Sequence, residues 1–292
     1  MNKAIGFIGL GVMGFPMAGH LSNSGFDVHV FNRSNEKSLK WSKRYNGKVC
    51  NSLKEISEKS EVIILCLRND EDVKKVICSK DGIINNFNNG SLIIDHTTTC
   101  AELSIELSSL VSEHGIEFLD APVSGGEVGA QSGQLSIMVG GKRNAYEKAK
   151  NILNPYTKHI KYMGESGSGQ LTKMVNQICI AGLIQALAEA INFSNEVGLN
   201  SKEVLEVVSK GAAQSWQMDN RWQSMLDGEY NHGFAVDLMI KDLNIVLDKA
   251  DKLDIDLEVT KVINNFYSDI QKVGGGKLDT SSLLKRIVEP IK

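Results

Sequence analysis

The sequence is poor in the residues that mark several classes of protein. Among its 292 residues there are four prolines, five cysteines and 6% aromatic side chains. The cysteines are odd in number, widely spaced and without a CxxC pair, so we expect reduced, mostly buried thiols in a cytosolic protein rather than a disulfide framework. They are Cys50, Cys66, Cys78, Cys100 and Cys179.

Charge runs and long apolar runs are also scarce. The net charge is -3 and no stretch is rich in Lys or Arg, which argues against nucleic acid as a partner. No segment approaches about 18 uninterrupted apolar residues, and the apolar start lacks the basic and small-residue parts of a signal peptide, so we expect no membrane association. The six histidines show no HExxH spacing, and we predict no metal site.

The first half of the chain alternates strand and helix patterns. Short β-branched runs are interleaved with amphipathic stretches over 36–45, 70–77 and 99–114, which predicts a mostly parallel sheet wrapped by helices. After about Gly164 only helical patterns remain. We therefore predict an α/β protein with a Rossmann-type dinucleotide-binding domain over residues 1–164 and an all-α domain over residues 165–292. The strand candidates are AIGFIG, DVHVFN, EVIILCL, SLIID, IEFLD, LSIMVGG and HIKYM.

A glycine-rich turn follows the first predicted strand. In FIGLGVMG, Gly9, Gly11 and Gly14 have GxGxxG spacing between a strand and a helix. Such glycines allow a tight turn and close backbone approach, so a pyrophosphate can lie on the helix N-terminal amides. The alternative is a glycine-rich turn without a ligand.

The end of the second strand bears on cofactor choice. An NAD-binding fold usually carries Asp or Glu here, but this chain has Asn32, Arg33 and Ser34. Arg33 can pair with a 2'-phosphate or stack on the adenine, and Ser34 can donate a hydrogen bond, which favours NADP. The alternative is that Arg33 is a solvated loop residue and that NAD binds without its usual acid.

A second glycine-containing motif, DAPVSGG, lies at the carboxyl edge of the predicted sheet, where open α/β sheets bind ligands. Ser124, Gly125 and Gly126 offer a hydroxyl and backbone N–H groups suited to a carboxylate. A turn that merely needs glycine would look the same.

A long helix predicted from about Gly167 to Glu196 holds Lys173 and Asn176 on one side. At about 100° per residue, its later polar positions lie roughly 100 to 160° away from Lys173. We therefore predict that Lys173 is off the water face, on a stripe continued by Ile180, Leu183 and Leu187. The alternative is a snorkelling lysine whose stem packs on the helix. The polar positions are Gln185, Glu189, Asn192 and Glu196.

Four segments together resemble the β-hydroxyacid dehydrogenase family over nearly the whole chain. They are GFIGLGVMGFPMAGHL, DAPVSGG, GSGQLTKMVNQ and the KDL at 241–243, in the family's order. Two small departures are His20, where Asn is frequent, and Thr97, where Ser is common. The resemblance implies hydride transfer between NADP(H), or NAD(H), and a short β-hydroxyacid or its semialdehyde. The cysteine usage predicts a cytoplasmic protein, and the apolar surface of the long helix predicts a homodimer or homotetramer.

The resemblance also assigns roles to residues. Lys173 is similar to the catalytic lysine and Asn176 to its substrate-orienting partner. The carboxylate site corresponds to Ser124, Gly125 and Gly126, Trp216 resembles a wall of the substrate pocket, and Lys241 with Asp242 would close the site. The implied cofactor residues are Gly9, Leu10, Gly11, Val12, Met13, Gly14, Asn32, Arg33, Ser34, Leu67, Thr97, Phe234 and Lys241.

The chemistry explains why the lysine would be buried. Reduction of an aldehyde creates an alkoxide that must be protonated, and oxidation requires a base, so Lys173 would need a pKa lowered by an apolar site and a second cation. That cation could be Lys241 or the oxidised nicotinamide. Two alternatives stay open: imine reduction on the same scaffold, and a non-catalytic NADP-binding protein. Lys173 argues against the first, since relatives that reduce imines usually replace this lysine, and the intact Lys173 and Asn176 argue against the second.

Overall fold

The computed structural model describes residues 4–289, which divide into two compact units between Lys173 and Met174. The predicted domain ends at residues 1–3 and 290–292 lie outside the described part, and the predicted boundary between residues 164 and 165 stays a prediction. The strands of the first unit are β1 (Ala4–Ile8), β2 (Asp27–Phe31), β3 (Lys48–Val49), β4 (Val62–Leu65), β5 (Leu92–Asp95), β6 (Glu117–Asp120), β7 (Val123–Ser124), β8 (Leu135–Gly141) and β9 (Thr157–Gly164).

These strands form one sheet in the order β3-β2-β1-β4-β5-β6-β8-β7, with β9 paired to β8. The pairs from β3 to β6 are parallel, whereas β8 runs antiparallel to β6 and β7. The chain moves from β1 towards β2 in one direction and resumes at β4 on the other side of β1. In open parallel sheets, ligands bind at the carboxyl ends of the strands beside such a switch point.

Both faces of the central strands are buried. Along β1, Ile5 and Phe7 belong to one apolar cluster and Ile8 to another. Successive side chains of a strand point to opposite faces, so near-continuous runs of Val, Ile and Leu are required when helices cover both faces. This confirms the α/β class predicted from the sequence.

Helices connect the strands of the first unit. The predicted helices over 36–45, 70–77 and 99–114 correspond to α2, α4 and α5, with ends displaced by a few residues. The short elements β3, β7, α3, α6 and the longer α7 were not predicted. The helices are α1 (Gly14–Asn23), α2 (Asn35–Ser42), α3 (Leu53–Glu58), α4 (Asp70–Cys78), α5 (Ala101–Ser112), α6 (Gly126–Ser132) and α7 (Arg143–Leu153).

The second unit is helical. Within the described residues after Gly164 no strand occurs, and the only β-type pairing is an isolated bridge between Ala235 and Asp279. The core of this unit includes Ile184, Trp222 and Tyr267. Its helices, of which the first begins in the other unit, are α8 (Ser168–Glu196), α9 (Ser201–Val208), α10 (Trp216–Leu226), α11 (Val236–Lys252), α12 (Glu258–Ile270) and α13 (Leu283–Val288).

The faces of α8 differ in part from the prediction. Lys173 is buried, with 7% of its surface exposed, as predicted. However, Leu183 is 44% exposed and Gln185 only 8% exposed, which reverses their predicted environments. The Nε2 group of Gln185 donates to Glu189 Oε1 at 2.7 Å, so its amide is satisfied away from water. A helix contacted on several sides does not follow a single apolar stripe.

By length and composition α8 could also cross a membrane. This is weak evidence, because the core helix of a globular protein passes the same test, and the prediction of no membrane association stays a prediction.

The cysteines are less buried than expected. Only Cys50 is buried; Cys66, Cys78 and Cys100 are half-buried and Cys179 is exposed. The prediction of mostly buried thiols was therefore wrong, because four of the five lie at element ends or on an outer helix face. The cytosolic location inferred from them stays a prediction.

Candidate active site

The glycine-rich loop between β1 and α1 contains three glycines, and the surroundings of each one differ. Gly9 has φ +101°, and a Cβ atom there would collide with the Cys66 carbonyl oxygen. A Cβ atom on Gly14, at the start of α1, would collide with the Gly9 carbonyl oxygen. Gly11 is exposed, with no atom within 4 Å of a Cβ position. The loop therefore leaves open backbone at the N-terminus of α1, which fits a dinucleotide pyrophosphate.

The residues around this loop hold it in place. The Leu10 N–H donates to Asn32 Oδ1 at 2.9 Å, and Asn32 Nδ2 donates to the Ser34 carbonyl oxygen at 3.0 Å. Leu10 is buried, whereas Val12 is exposed and Met13 half-buried. Asn32 thus serves as a brace between the loop and the end of β2.

Arg33 extends into solvent beside this brace. Its side chain is 78% exposed, and Nη1 lies 3.7 Å from Asp72 Oδ1. Ser34 is exposed and directly precedes α2. Both side chains are accessible to a ligand at the β2 end, and an exposed pair at this distance contributes little stability.

Thr97, one of the predicted cofactor-binding residues, joins the ends of β4 and β5. Thr97 Oγ1 accepts the Leu67 N–H at 2.9 Å, and the Thr97 N–H donates to Asp95 Oδ1 at 2.9 Å. Burial raises the pKa of Asp95 to about 7, against the hydrogen bonds from Thr97 and with help from the nearby Asp120 and Asp70 carboxylates. The two strand ends therefore form one surface beside the glycine-rich loop.

The predicted carboxylate site lies between β7 and α6. Gly125 has φ +135° and Gly126 φ +60°, so the turn itself requires glycine. A Cβ atom on Gly126 would meet no atom within 4 Å, whereas one on Gly125 would lie 3.1 Å from Leu135. Both interpretations of this turn thus find support: the backbone demands glycine, and Gly126 leaves room for a ligand.

The start of α8 is fastened to the strand ends. Asp120 accepts the Gly167 N–H at 2.7 Å and the Gln170 N–H at 3.0 Å, although burial raises its pKa. Gln170 accepts the Thr99 N–H at 3.1 Å and donates to the Thr97 carbonyl oxygen at 2.7 Å. These bonds fix the turn before Lys173. Sequence reasoning missed Asp120 and Gln170, although both lie inside the motifs that it singled out.

In the second unit, the next turn of α8 joins α11. Asn176 Nδ2 donates to Gln177 Oε1 at 2.8 Å, and Gln177 Nε2 donates to Asp242 Oδ2 at 2.7 Å. Lys241 Nζ lies 3.0 Å from the other Asp242 oxygen, Oδ1. The structure thus connects Asn176 with Lys241 and Asp242 through Gln177, which the sequence reasoning had not assigned.

Two further predicted residues, Trp216 and Phe234, are both connected to the buried carboxylate of Asp279. Trp216, at the start of α10, is 43% exposed, and the Arg221 guanidinium carbon lies 5.2 Å from its ring centroid. Arg221 Nε lies 3.1 Å from Asp279 Oδ1, and the Phe234 N–H donates to Asp279 Oδ2 at 2.8 Å. Asp279 therefore fixes Phe234 directly and Trp216 through Arg221.

No group of three or more His, Cys, Asp or Glu side chains that could hold a metal ion occurs within residues 4–289.

Two family models match the chain. Residues 4–164 match the NAD binding domain of 6-phosphogluconate dehydrogenase, and residues 167–287 match the NAD-binding domain of NADP-dependent 3-hydroxyisobutyrate dehydrogenase.

Individual relatives match over nearly their full length. An uncharacterised oxidoreductase of Shewanella frigidimarina is 45% identical, covering 97% of both chains. The 2-hydroxy-3-oxopropionate reductase of Escherichia coli K12 is 32% identical, covering 97% of this chain and 96% of the relative. The solved structure of Mycobacterium tuberculosis 3-hydroxyisobutyrate dehydrogenase with L-serine has a TM-score of 0.88 at 27% identity, covering 98% of this chain and 99% of that one.

The fold, the glycine-rich loop and these matches define an NAD(P)-dependent oxidoreductase. The chain belongs to the β-hydroxyacid dehydrogenase family, as the sequence motifs predicted.

Proposed function

We propose that the protein uses NADP(H) to interconvert a short β-hydroxyacid and its semialdehyde, with Lys173 as general acid and base. The observation that carries this proposal is the placement of Lys173, which is 7% exposed and lies one turn after a segment of α8 fastened by Asp120 and Gln170. Asn176 follows three residues later on the same helix, which brings the two side chains to one side.

The proton step follows from this placement. Bound NADP(H) supplies or accepts the hydride. In reduction, the Lys173 ammonium donates a proton to the oxygen that was the aldehyde carbonyl, and in oxidation the neutral amine removes it. Burial disfavours a charged amine and so assists the oxidative direction.

Substrate recognition is proposed for the turn at Ser124, Gly125 and Gly126. Its backbone N–H groups and hydroxyl suit a carboxylate, and Gly126 leaves space beside them. The L-serine named in the related structure carries a carboxylate and a β-hydroxyl group, and the E. coli relative is named for a three-carbon hydroxyacid aldehyde. We propose a substrate of similar size, with Trp216 as one wall.

The test of Lys173 uses two substitutions. Lys173→Met keeps the apolar stem and removes the charge, so kcat should fall by about 100-fold or more while NADPH binding persists. Lys173→Ala should behave alike. Wild-type kcat/KM for oxidation should rise with pH as the amine deprotonates, and this rise should vanish in both variants.

The matched control is Lys202→Met, at an exposed lysine on α9, which should keep wild-type activity. An active Lys173→Met enzyme with an unchanged pH profile would remove Lys173 from the mechanism and move the role to Lys241. A panel of semialdehydes, hydroxyacids and imines should be assayed with both cofactors; turnover of imines alone would favour the imine reductase interpretation.

The preference for NADP is proposed from Arg33, which is exposed at the β2 end where a carboxylate would otherwise repel a 2'-phosphate. Arg33→Ala should raise the KM for NADPH by about 10-fold or more, as expected for the loss of one charge-assisted contact, and leave the KM for NADH nearly unchanged. Arg44→Ala, at another exposed arginine, is the control. Equal effects on both cofactors would refute the preference.

A homodimer or homotetramer is proposed from one face of α8. Exposed apolar or small residues recur there every three or four positions: Val175, Cys179, Leu183, Ala186, Ala190 and Phe193. Such a stripe supports burial against a second copy. Phe193→Asp should shift the mass measured by light scattering towards the monomer, whereas Val207→Asp, at a residue 75% exposed on α9, should not. A wild-type monomer would contradict the proposal.

A further inference from the structure

The hydrogen bonds that reach Asn176 run in one direction. Asn176 Nδ2 donates to Gln177 Oε1 at 2.8 Å, and Gln177 Nε2 donates to Asp242 Oδ2 at 2.7 Å. Gln177 Nε2 also faces the Met239 sulfur at 3.9 Å, a weak acceptor. Each amide therefore turns its nitrogen towards the next member of the chain, Asn176 towards Gln177 and Gln177 towards Asp242 on α11.

The direction is imposed from the Asp242 end. An ionised carboxylate accepts hydrogen bonds and donates none, so only the amide nitrogen of Gln177 can face it. Asp242 and Gln177 are each 2% exposed, which leaves little access for water to satisfy a reversed amide. Lys241 Nζ, which can only donate, lies 3.0 Å from the other carboxylate oxygen, Asp242 Oδ1.

We infer that Gln177 and Asp242 are positioning residues that set the amide orientation of Asn176, so that its carbonyl oxygen faces away from Gln177. This inference rests on the proposed function. In that setting, the Asn176 oxygen accepts a hydrogen bond from the Lys173 amino group three residues earlier on α8, which aims the group that exchanges a proton with the substrate oxygen. An Asn176 that turned its nitrogen outward would present a donor to the Lys173 ammonium, and Lys173 would lose the acceptor that aims it.

The hydrogen bonds from Asn176 to Gln177 and from Gln177 to Asp242 predict the effect of Asp242→Asn on the orientation of both amides. The Lys241 ammonium donates only, so the new amide turns its oxygen to Lys241 and its nitrogen to Gln177. Gln177 must then present Oε1 to residue 242 and Nε2 to Asn176, and Asn176 must reverse. We expect kcat for the hydroxyacid to fall by about 10-fold or more, as for one lost hydrogen bond to the reacting group, with a smaller change in KM for NADPH.

The double variant Asp242→Asn/Gln177→Glu tests the direction of these hydrogen bonds rather than the packing of the side chains. Its carboxylate at position 177 accepts from the amide at 242 and from Asn176 Nδ2, so the wild-type orientation returns and the total charge is preserved. We expect most of the lost kcat to return. The control Asp242→Asn/Gln185→Glu adds the same charge at another buried glutamine of α8 and should restore nothing.

Neutron diffraction of deuterium-exchanged crystals gives a readout that does not depend on activity, because it distinguishes amide nitrogen from oxygen. Asn176 should face Gln177 through nitrogen in the wild type and the double variant, and through oxygen in Asp242→Asn. A wild-type Asn176 that faces Gln177 through oxygen, an unreversed amide in a folded Asp242→Asn protein, or a double variant no more active than Asp242→Asn would each overturn the inference. If Asp242→Asn does not fold, the wild-type and double-variant crystals decide.

Failure of the proposed function has a different signature. It would show as an active Lys173→Met enzyme or as no turnover of any hydroxyacid or semialdehyde, and neither result changes the amide orientations seen by diffraction.

Discussion

Asp95 should make the stability of the first unit depend on pH in a way that a single substitution removes. The carboxyl group is 1% exposed at the end of β5, and burial raises its pKa to about 7 from an ordinary value of 3.8. Oδ1 accepts the Thr97 N–H, and Oδ2 has no hydrogen-bond partner among the residues that the structure describes. The group is therefore neutral when folded under conditions that ionise it in the unfolded chain.

The sign follows from proton uptake. Between pH 3.8 and about 7 the folded state holds a proton that the unfolded state has lost, so the free energy of unfolding falls as pH rises through this window. At 1.36 kcal/mol for each pKa unit, the gap between 3.8 and about 7 amounts to about 4 kcal/mol, fully developed above pH 7 and absent below pH 3.8. Asp95→Asn does not titrate, so its stability relative to wild type should increase by about this amount across the window.

His96 is the reason to compare variants rather than to follow the wild type alone. Burial lowers the pKa of His96 to about 4 from 6.5, while Nδ1–H donates to the Ala121 carbonyl oxygen at 2.6 Å. A lowered histidine pKa makes stability rise with pH between about 4 and 6.5, against the Asp95 contribution. In the wild type the two slopes partly cancel, whereas the difference between Asp95→Asn and wild type isolates the carboxyl group.

The assay is urea unfolding at pH 4, 5, 6, 7 and 8, monitored through amide hydrogen exchange in residues 92–95 so that the transition belongs to the first unit. Asp81→Asn, at an exposed aspartate, is the control and should show a flat difference. A difference for Asp95→Asn that does not change with pH would refute the assignment of a buried, protonated carboxyl group.

Three shorter predictions concern the remaining site. Gly14→Ala should weaken NADPH binding measured by calorimetry by about 10-fold or more, because its Cβ collides with the loop backbone; unchanged affinity would contradict the loop geometry. Arg221→Met should lower the free energy of unfolding by about 3–5 kcal/mol, because it leaves the buried Asp279 carboxylate without its cation and bound only by backbone N–H groups; a loss below 1 kcal/mol in thermal unfolding would argue against it. Asp72→Asn should lower the KM for NADPH but not for NADH, because it removes a carboxylate 3.7 Å from Arg33; a lower KM for both would show a general effect.

The parts of the fold that sequence predicted are those with strong local signals. The end of β1 and the glycine-rich loop after it were predicted from the eight consecutive residues FIGLGVMG. This was possible because the spacing of apolar residues and the conformational preferences of glycine both act over a few neighbouring residues. The short strand β7 at Val123–Ser124 was missed, because two residues carry no periodicity and only pairing with β8 makes them a strand. Helix α7 lies between two predicted strands, where amphipathic stretches were expected, but it was not among the stretches named.

The candidate site was predicted in its residue types but not in its connections. Lys173 and Asn176 could be selected because helical spacing places them on one side. The bonds from Asp120 to the start of α8, and from Gln177 to Asp242, join residues far apart in the chain, so no local pattern encodes them. The misplacement of Gln185 has the same cause, since contacts from other helices decided which side of α8 is buried.

The brace made by Asn32 has a consequence for how cofactor choice could change over generations. The atom that accepts the Leu10 N–H is Oδ1, which aspartate also possesses, and the codons of Asn and Asp differ by one nucleotide. The substitution would keep the loop tethered, would sacrifice only the bond from Nδ2 to the Ser34 carbonyl oxygen, and would add a charge that repels a 2'-phosphate. If the proposed NADP preference holds, a lineage could therefore pass between the two dinucleotides in a single mutational step without dismantling the turn that binds them.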